Sequence, residues 1–370
     1  MGGAAPGASG RAGTGAAYPA RYWHRLPDGR LQCDLCPREC HLRDGQRGFC
    51  FVRMRQGEQL VLATYGRSSG FCVDPIEKKP LAHFYPGSSV LSFGTAGCNL
   101  GCRFCQNWDI STSRETDRLT DQASPADIAR VAAEWRCRSV AFTYNDPVVF
   151  TEYAVDVALA ARARGLRTVA VTAGYVNAAA RGDLFSVIDA ANVDLKGFTD
   201  ELYVGLTGAR LRPVLDTLAY LRHETDVWLE LTTLLIPGHN DSDAALRALF
   251  RWVAAELGAD VPHHVTAFHP DHRMRDTPPT PLATLVRARR IALDEGLRFV
   301  YTGNVGHPAG EVTRCASCGL ALVERDRYRL LAYRLTATGG CPSCGVALAG
   351  RYGAAPDDFG PHRIPVSIGR

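Results

Sequence analysis

No stretch of the 370-residue chain approaches the roughly 20 consecutive apolar residues that a membrane-spanning helix needs, which argues against a membrane protein of that kind. Strong charge of one sign is also missing. The net +4 provides neither the basic footprint of a nucleic-acid binder nor that of a protein held on an anionic membrane. The first twenty residues, rich in Gly and Ala, lack the apolar segment of a secretion signal and read as the start of a disordered leader. Internal repeats are absent. Cysteine, by contrast, is abundant: thirteen residues, most of them in three tight groups, with Cys72 and Cys137 left over. Tight C-x2-C spacing in a chain this long suits metals better than a disulfide framework, and reduced thiols point to the cytoplasm.

The length suggests one large domain with smaller appendages. The expected order is a disordered leader over 1–29, a Cys-rich metal-binding segment over 30–80, a central unit over 81–305, a second Cys-rich segment over 306–350 and a tail over 351–370. In the central unit, short apolar runs predict strands at Val90–Phe93, Ser139–Phe142, Thr168–Thr172, Ala191–Leu195, Val227–Leu235, His264–Phe268 and Phe299–Thr302. Between them, Ala/Leu/Arg-rich stretches predict helices at Pro125–Trp135, Thr151–Arg164, Leu211–Arg222, Ser242–Glu256 and Pro281–Glu295. Such alternation indicates right-handed βαβ units and a parallel sheet. Six or seven units favour a complete or partial barrel over a doubly wound sheet. In a barrel the active site gathers at the C-terminal ends of the strands.

Directly after the first of these strands comes Gly97-Cys98-Asn-Leu-Gly-Cys102-Arg-Phe104-Cys105. Three thiolates so close together can hold three corners of a four-iron, four-sulfur cube and leave the fourth iron open. The alternative is a structural zinc loop with a distant fourth ligand. Polar residues recur at the later strand ends, in Thr143-Tyr144-Asn145-Asp146, Thr172-Ala173-Gly174, Asp194-Leu-Lys196, Ile236-Pro-Gly238-His239-Asn240, His269-Pro-Asp-His272 and Thr302-Gly303-Asn304. Singly these are turn formers. Together they can surround one mouth with donors, acceptors and a cation, as a zwitterionic, adenosine-bearing ligand requires.

The cysteine run, with its aromatic Phe104, resembles the signature of radical S-adenosylmethionine (SAM) enzymes. Further runs extend the resemblance over about residues 30–350: Asp74-Pro-Ile-Glu77-Lys78-Lys79-Pro80 through His83-Phe84-Tyr85-Pro86-Gly87, then Gln106-Asn107-Trp108, Asn192–Gly197 and Leu234–Gly238. Together they resemble the radical SAM proteins of the AmmeMemoRadiSam group, similar to pyruvate formate-lyase activating enzymes. The resemblance implies an α/β fold, a partial (β/α)6 TIM-type barrel, and a [4Fe–4S] cluster on Cys98, Cys102 and Cys105 whose open iron is chelated by SAM. It implies SAM contacts from Asn145, Asp146, Asp194, Lys196 and Ile236. Asp146 stands where the family pattern has Glu, and Ala173 where it has Asn. His83–Gly87 and Trp108 are placed as covers of the site, Trp108 equally as a core aromatic. The implied activity is reductive cleavage of SAM to a 5′-deoxyadenosyl radical that abstracts hydrogen from a substrate, which a glycyl-radical protein residue would exemplify. The reductant would be a flavodoxin or ferredoxin.

Two further groups read as metal sites. Cys315, Cys318, Cys341 and Cys344 form two C-x2-C knuckles, each followed by Gly, as in a zinc ribbon, with a rubredoxin-like iron centre as the alternative. Cys33, Cys36, Cys40 and Cys50 suit zinc or an auxiliary iron–sulfur cluster, with His41 as a spare ligand. His269 and His272 are candidate substrate-facing groups. Outside radical chemistry, the competing functions are a protein- or nucleic-acid-binding module built on the zinc ribbon over a non-catalytic barrel, and a metal-storage or transfer protein.

Overall fold

The computed structural model describes residues 18–114 and 121–368. Its main sheet contains β1 (Phe71–Pro75), β2 (Ser89–Phe93), β3 (Ser139–Phe142), β4 (Arg167–Thr172), β5 (Ala190–Asp194), β6 (Trp228–Leu235), β7 (His263–Ala267), β8 (Val300–Gly303) and β9 (Ile364–Val366). These nine strands lie in the order β8-β7-β6-β5-β4-β3-β2-β1-β9. Strands β2 to β8 run parallel, each beside its predecessor. β1 is antiparallel to β2, and β9 to β1. The edges β8 and β9 are not paired with each other, so the barrel is open. All seven strands expected from the apolar runs are present, and with one main helix in each of the six crossovers they make six β/α units and a final strand.

Helices α1 (Pro125–Glu134), α2 (Thr151–Arg162), α3 (Ala178–Phe185), α4 (Leu211–His223), α5 (Asp243–Trp252) and α6 (Leu282–Asp294) carry the crossovers. Helix α1 starts where the sequence says it must. Ser124 accepts from the Asp127 N–H, the Asp127 carboxylate accepts from the Ser124 N–H, and Pro125 occupies the first turn, where no donor is missed. Helix α3 was not anticipated, because Ala-Ala-Ala-Arg-Gly-Asp shows no apolar periodicity. β2 and β3 are buried along their whole length, as a parallel sheet covered on both faces requires.

The chain between β1 and β2 fills the hollow of the open barrel. Asn192 on β5 donates to the Pro80 carbonyl at 2.8 Å, and Glu230 on β6 accepts from the Ala82 and His83 N–H groups at 2.9 and 2.8 Å. This places Lys78–Pro80 at the mouth. His83 lies fully buried beside Phe299 and Trp228, which starts β6, with its ring on Tyr301 and the Ala349 carbonyl. His83 therefore sits at the opposite end from the strand termini that form the mouth, and the expected cover of the site is instead an internal plug.

Residues 18–29 and 351–368 contain more regular structure than expected. Residues 18–29, assigned to the leader, contain strands Tyr18–Pro19 and Trp23–Arg25, which pair with Gln59–Leu62 and Leu31–Cys33; residues 1–17 lie outside the described residues. The buried Arg53–Glu152 ion pair ties this N-terminal layer to α2. The stretch 71–80 belongs to β1 and the plug rather than to the Cys-rich segment. In the tail, β9 joins the sheet, Arg138 pairs with Asp357 at 2.6 Å, and Arg363 donates to the buried Cys72 sulfur at 2.8 Å. Cys137 is buried, as expected of an unliganded thiol.

Burial lowers the pKa of His83 to about 4 and that of His263 to about 3. Both stay neutral in the folded state, whereas the unfolded chain takes up protons near the ordinary His value of about 6.5. Stability should be complete above that value and fall as pH drops through it toward 4. Denaturant midpoints recorded from pH 8 to 4.5 test this; a midpoint unchanged between pH 7.5 and 5 would refute the assignment.

Candidate active site

The loop after β2 is held by the backbone before any ligand is considered. Asn145, at the end of β3, donates to the Ala96 and Gly97 carbonyls at 3.1 and 2.8 Å and accepts from the Thr95 N–H at 2.9 Å. A Cβ on Gly94 would lie 2.4 Å from the Thr143 carbonyl, and one on Gly97 2.0 Å from the Cys50 carbonyl, so neither position admits a side chain. Gly97 also has a φ of 74°, in the left-handed region. The loop then projects Cys98, Cys102 and Cys105 onto one cavity of about 390 Å³ at the C-terminal ends of the strands.

The rest of that cavity is built from strand ends: Asn145 and Asp146 after β3, Thr172 and Ala173 at β4, Asp194 and Lys196 at β5, Thr232 and Leu234 on β6, Thr266 on β7 and Asn304 after β8. Asp146 accepts from the Thr172 hydroxyl at 2.9 Å and the Ala173 N–H at 2.8 Å, lashing β3 to β4. Burial raises its pKa, an effect opposed by these donors. Lys196 pairs with Asp194 at 2.9 Å. Burial acts against its charge, but the carboxylate of Asp194 and the Cys102 sulfur hold its pKa above the ordinary lysine value. Burial pushes the Cys102 thiol up to about 12 despite Lys196, and Cys98 well above its ordinary value. Thiolates at these positions therefore call for a bound cation.

Four of the five expected SAM contacts, Asn145, Asp146, Asp194 and Lys196, line the cavity. Ile236 does not. Its side chain is buried in an apolar cluster with Phe104, Phe268 and Met274 that backs the wall, where Phe104 and Leu234 face the cavity. Asn145 spends its hydrogen bonds on the loop. Trp108 is neither cover nor core: it is 39% exposed, stacks on His272 and donates to Asp271 at 3.1 Å. His269 bonds Gln106 at 3.0 Å, so these histidines fasten the cysteine loop to the segment after β7. Tyr144 lines the cavity as its strand-end run suggested, and Lys78, Lys79 and Tyr328 line it without having been assigned there. Lys79 is paired with the buried Asp74 at 2.7 Å, and burial lowers its pKa to about 8. The Asp74–Pro80 run was the available signal for the lysines; nothing in the sequence announced Tyr328, which arrives from the C-terminal hairpin.

Cys315, Cys318, Cys341 and Cys344 bring their sulfurs within 4.8 Å of one another, with Cys315–Cys344 at 3.5 Å and Cys318–Cys341 at 3.6 Å. A tetrahedral ion with metal–sulfur bonds of about 2.3 Å spaces its sulfurs about 3.8 Å apart, so this set fits a single metal ion. Among the described residues no other group of three or more His, Cys, Asp or Glu converges so tightly. Cys98, Cys102 and Cys105 do not form such a group. His41 is exposed and bonded to Gln32, turned away from metal binding. No helix among the described residues is long and apolar enough to cross a membrane.

The Radical SAM superfamily model matches residues 93–250, from the end of β2 into α5. Protein MJ0808 of Methanocaldococcus jannaschii is 38% identical over 327 residues, covering 88% of this chain and 97% of its own length. The pyruvate formate-lyase 1-activating enzyme of Escherichia coli K12 is 25% identical over 170 residues, 44% of this chain and 68% of that enzyme. Among solved structures, a radical SAM methyltransferase from Sphaerobacter thermophilus aligns with a TM-score of 0.48 and 15% identity over 82% of this chain and 80% of its own. Likeness to MJ0808 over nearly its whole length, with the superfamily match running through the strands that carry the cysteine loop, establishes that the chain belongs to the radical SAM superfamily, enzymes that cleave SAM by radical chemistry and whose family character implies a [4Fe–4S] cluster.

Proposed function

We propose that Cys98, Cys102 and Cys105 hold the [4Fe–4S] cluster and that SAM fills the cavity beside it, leaving a hydrogen-bearing substrate to enter from the side of Lys78 and Tyr328. The observation that carries this reading is the convergence of three thiols and the polar ends of the parallel strands on one cavity. Bound there, the cluster and SAM supply a one-electron cleavage that yields a 5′-deoxyadenosyl radical.

The protein's own part is positional. Asn145 fixes the loop backbone, and Asp146 fixes the spacing of β3 and β4. Lys196 offers a desolvated cation to a carboxylate, and Asp194 offers a partner to an ammonium group. Val171 and Leu234 give apolar wall. A second cavity of about 280 Å³ shares Lys78, Pro80, Thr266, Asn304 and Tyr328 with the first. It reaches the buried Glu77, Tyr301 and Arg325, polar groups that a substrate held beside the first cavity would meet.

Likeness to the activating enzyme supports a residue of another protein as the substrate, reached by hydrogen abstraction. A flavodoxin or ferredoxin would supply the electron, in the cytoplasm. The C-terminal four-thiolate set would hold zinc with no open position, a structural role. Membership of an enzyme superfamily removes the binding module on a non-catalytic barrel as the primary reading.

Protein purified without oxygen and mixed with dithionite and SAM should release 5′-deoxyadenosine. Cys102→Ala should abolish that product while leaving zinc bound, and cleavage surviving in the variant would overturn the loop assignment. Lys196→Met removes a charge-assisted contact and should raise the KM for SAM about tenfold or more. An unchanged KM would take Lys196 out of SAM binding.

A further inference from the structure

The four N-terminal cysteines form a site of their own. Strand Leu31–Cys33 and the turn after it bring them together: the Cys33 N–H donates to the Cys40 carbonyl at 2.9 Å, and Glu39 N–H to the Cys36 carbonyl at 3.1 Å. Cys33 and Cys36 are only 6% and 7% exposed. Each of the four sulfurs accepts a main-chain N–H: Cys33 from Leu35, Cys36 from Arg38, Cys40 from Phe49 at 3.4 Å, and Cys50 from Val52 and Arg53. The pattern in which residue i+2 donates to sulfur i recurs at Cys98, bonded by Leu100 at 3.5 Å, and at Cys315 and Cys318. Such donors favour an anionic sulfur, and all four thiols are free of disulfides. Several buried thiolates grouped together are affordable only around metal.

Spacing decides which metal. The C-terminal sulfurs meet at the separations a single tetrahedral ion imposes, and the N-terminal ones do not converge in that way. A polynuclear cluster puts several irons between its ligands and holds the sulfurs farther apart. We propose that Cys33, Cys36, Cys40 and Cys50 bind a second iron–sulfur cluster, capped on every corner and so closed to SAM. This cluster abuts the mouth loop. The Cys50 carbonyl packs on Gly97, Arg38 Nε donates to the Asn99 carbonyl at 2.9 Å, and the Phe49 ring would lie 3.4 Å from a Cβ on Gly101. The Cys50 main chain and the Arg38 side chain thus touch the mouth-loop backbone, which makes the two centres neighbours whose unpaired spins should interact when both are reduced. That last point rests on the cluster proposed for Cys98, Cys102 and Cys105; the second cluster itself does not.

The test is a metal count on full-length protein reconstituted without oxygen with iron and sulfide. The wild type should hold about eight irons and eight sulfides per chain. The triple variant Cys98→Ala, Cys102→Ala, Cys105→Ala, which leaves the N-terminal layer untouched, should keep about four of each. Cys33→Ser with Cys36→Ser should lose the other four and retain the C-terminal metal. Electron paramagnetic resonance of dithionite-reduced wild type should show a signal broadened by the neighbouring spin, and the triple variant a narrow one. A triple variant that binds no iron, or gains a second zinc in its place, would overturn the proposal. Wild type with four irons, all lost in the N-terminal variant and all kept in the triple variant, would support the N-terminal cluster and sink the loop assignment instead.

Discussion

A single buried carboxylate makes the rest of the architecture possible. Glu230 is inaccessible to solvent at the middle of the open barrel, yet it accepts from the Ala82 and His83 N–H groups, the Trp228 indole and the His264 ring. Desolvation alone would keep this group neutral, and the donors, His264 foremost, reverse the effect and hold its pKa below the ordinary glutamate range. An uncompensated charge there would cost several kcal/mol, so the plug between β1 and β2 and the sheet must form together. Once the plug is seated, Lys78, Lys79 and Pro80 have nowhere to go but the mouth. A sheet that does not close on itself thereby acquires a packed interior and one wall of its active site.

The mouth follows the same economy. Residues that read as ligand contacts prove to be fasteners first. Asn145 fixes the loop, Asp146 joins two strand ends, and His269 and His272 fasten the outer rim. Lys196 and Asp194 hold one another, and the pair faces the cavity with its remaining hydrogen-bonding capacity. A site that handles a reactive radical gains from this, because each group is already held in place when the ligand arrives.

The strands and most helices were legible because apolar runs of strand length alternate with stretches of helical period, and the Ser124 box marks a helix start in plain residues. The cysteine loop was legible for the same reason: its chemistry lies in contiguous positions. What escaped depends on contacts between distant parts of the chain. Ile236 follows β6 just as a wall residue would, but it is buried behind the wall with Phe268, while Phe104 and Leu234 of the same cluster face the cavity. The His83 run reads as a flexible cover until Glu230, 147 residues later, is seen to receive its backbone. Tyr328 reaches the cavity only because the C-terminal hairpin packs against the barrel. The strands of residues 18–29 are two and three residues long, too short to show a period, and owe their existence to partners at Leu31–Cys33 and Gln59–Leu62.

The three cysteine groups show how one local device can serve unlike ends. In each, main-chain N–H groups point at sulfur, which readies thiolates for metal and says nothing about which metal arrives. The discrimination comes from the surrounding fold. Two C-x2-C knuckles bring four sulfurs within 4.8 Å of one another, a spacing that fits a single ion. The mouth loop places three sulfurs at a polar cavity lined also by Asp194, Lys196 and Asn304. The number of cysteines is written in the sequence, and tertiary packing decides whether they converge on one point or border a cavity.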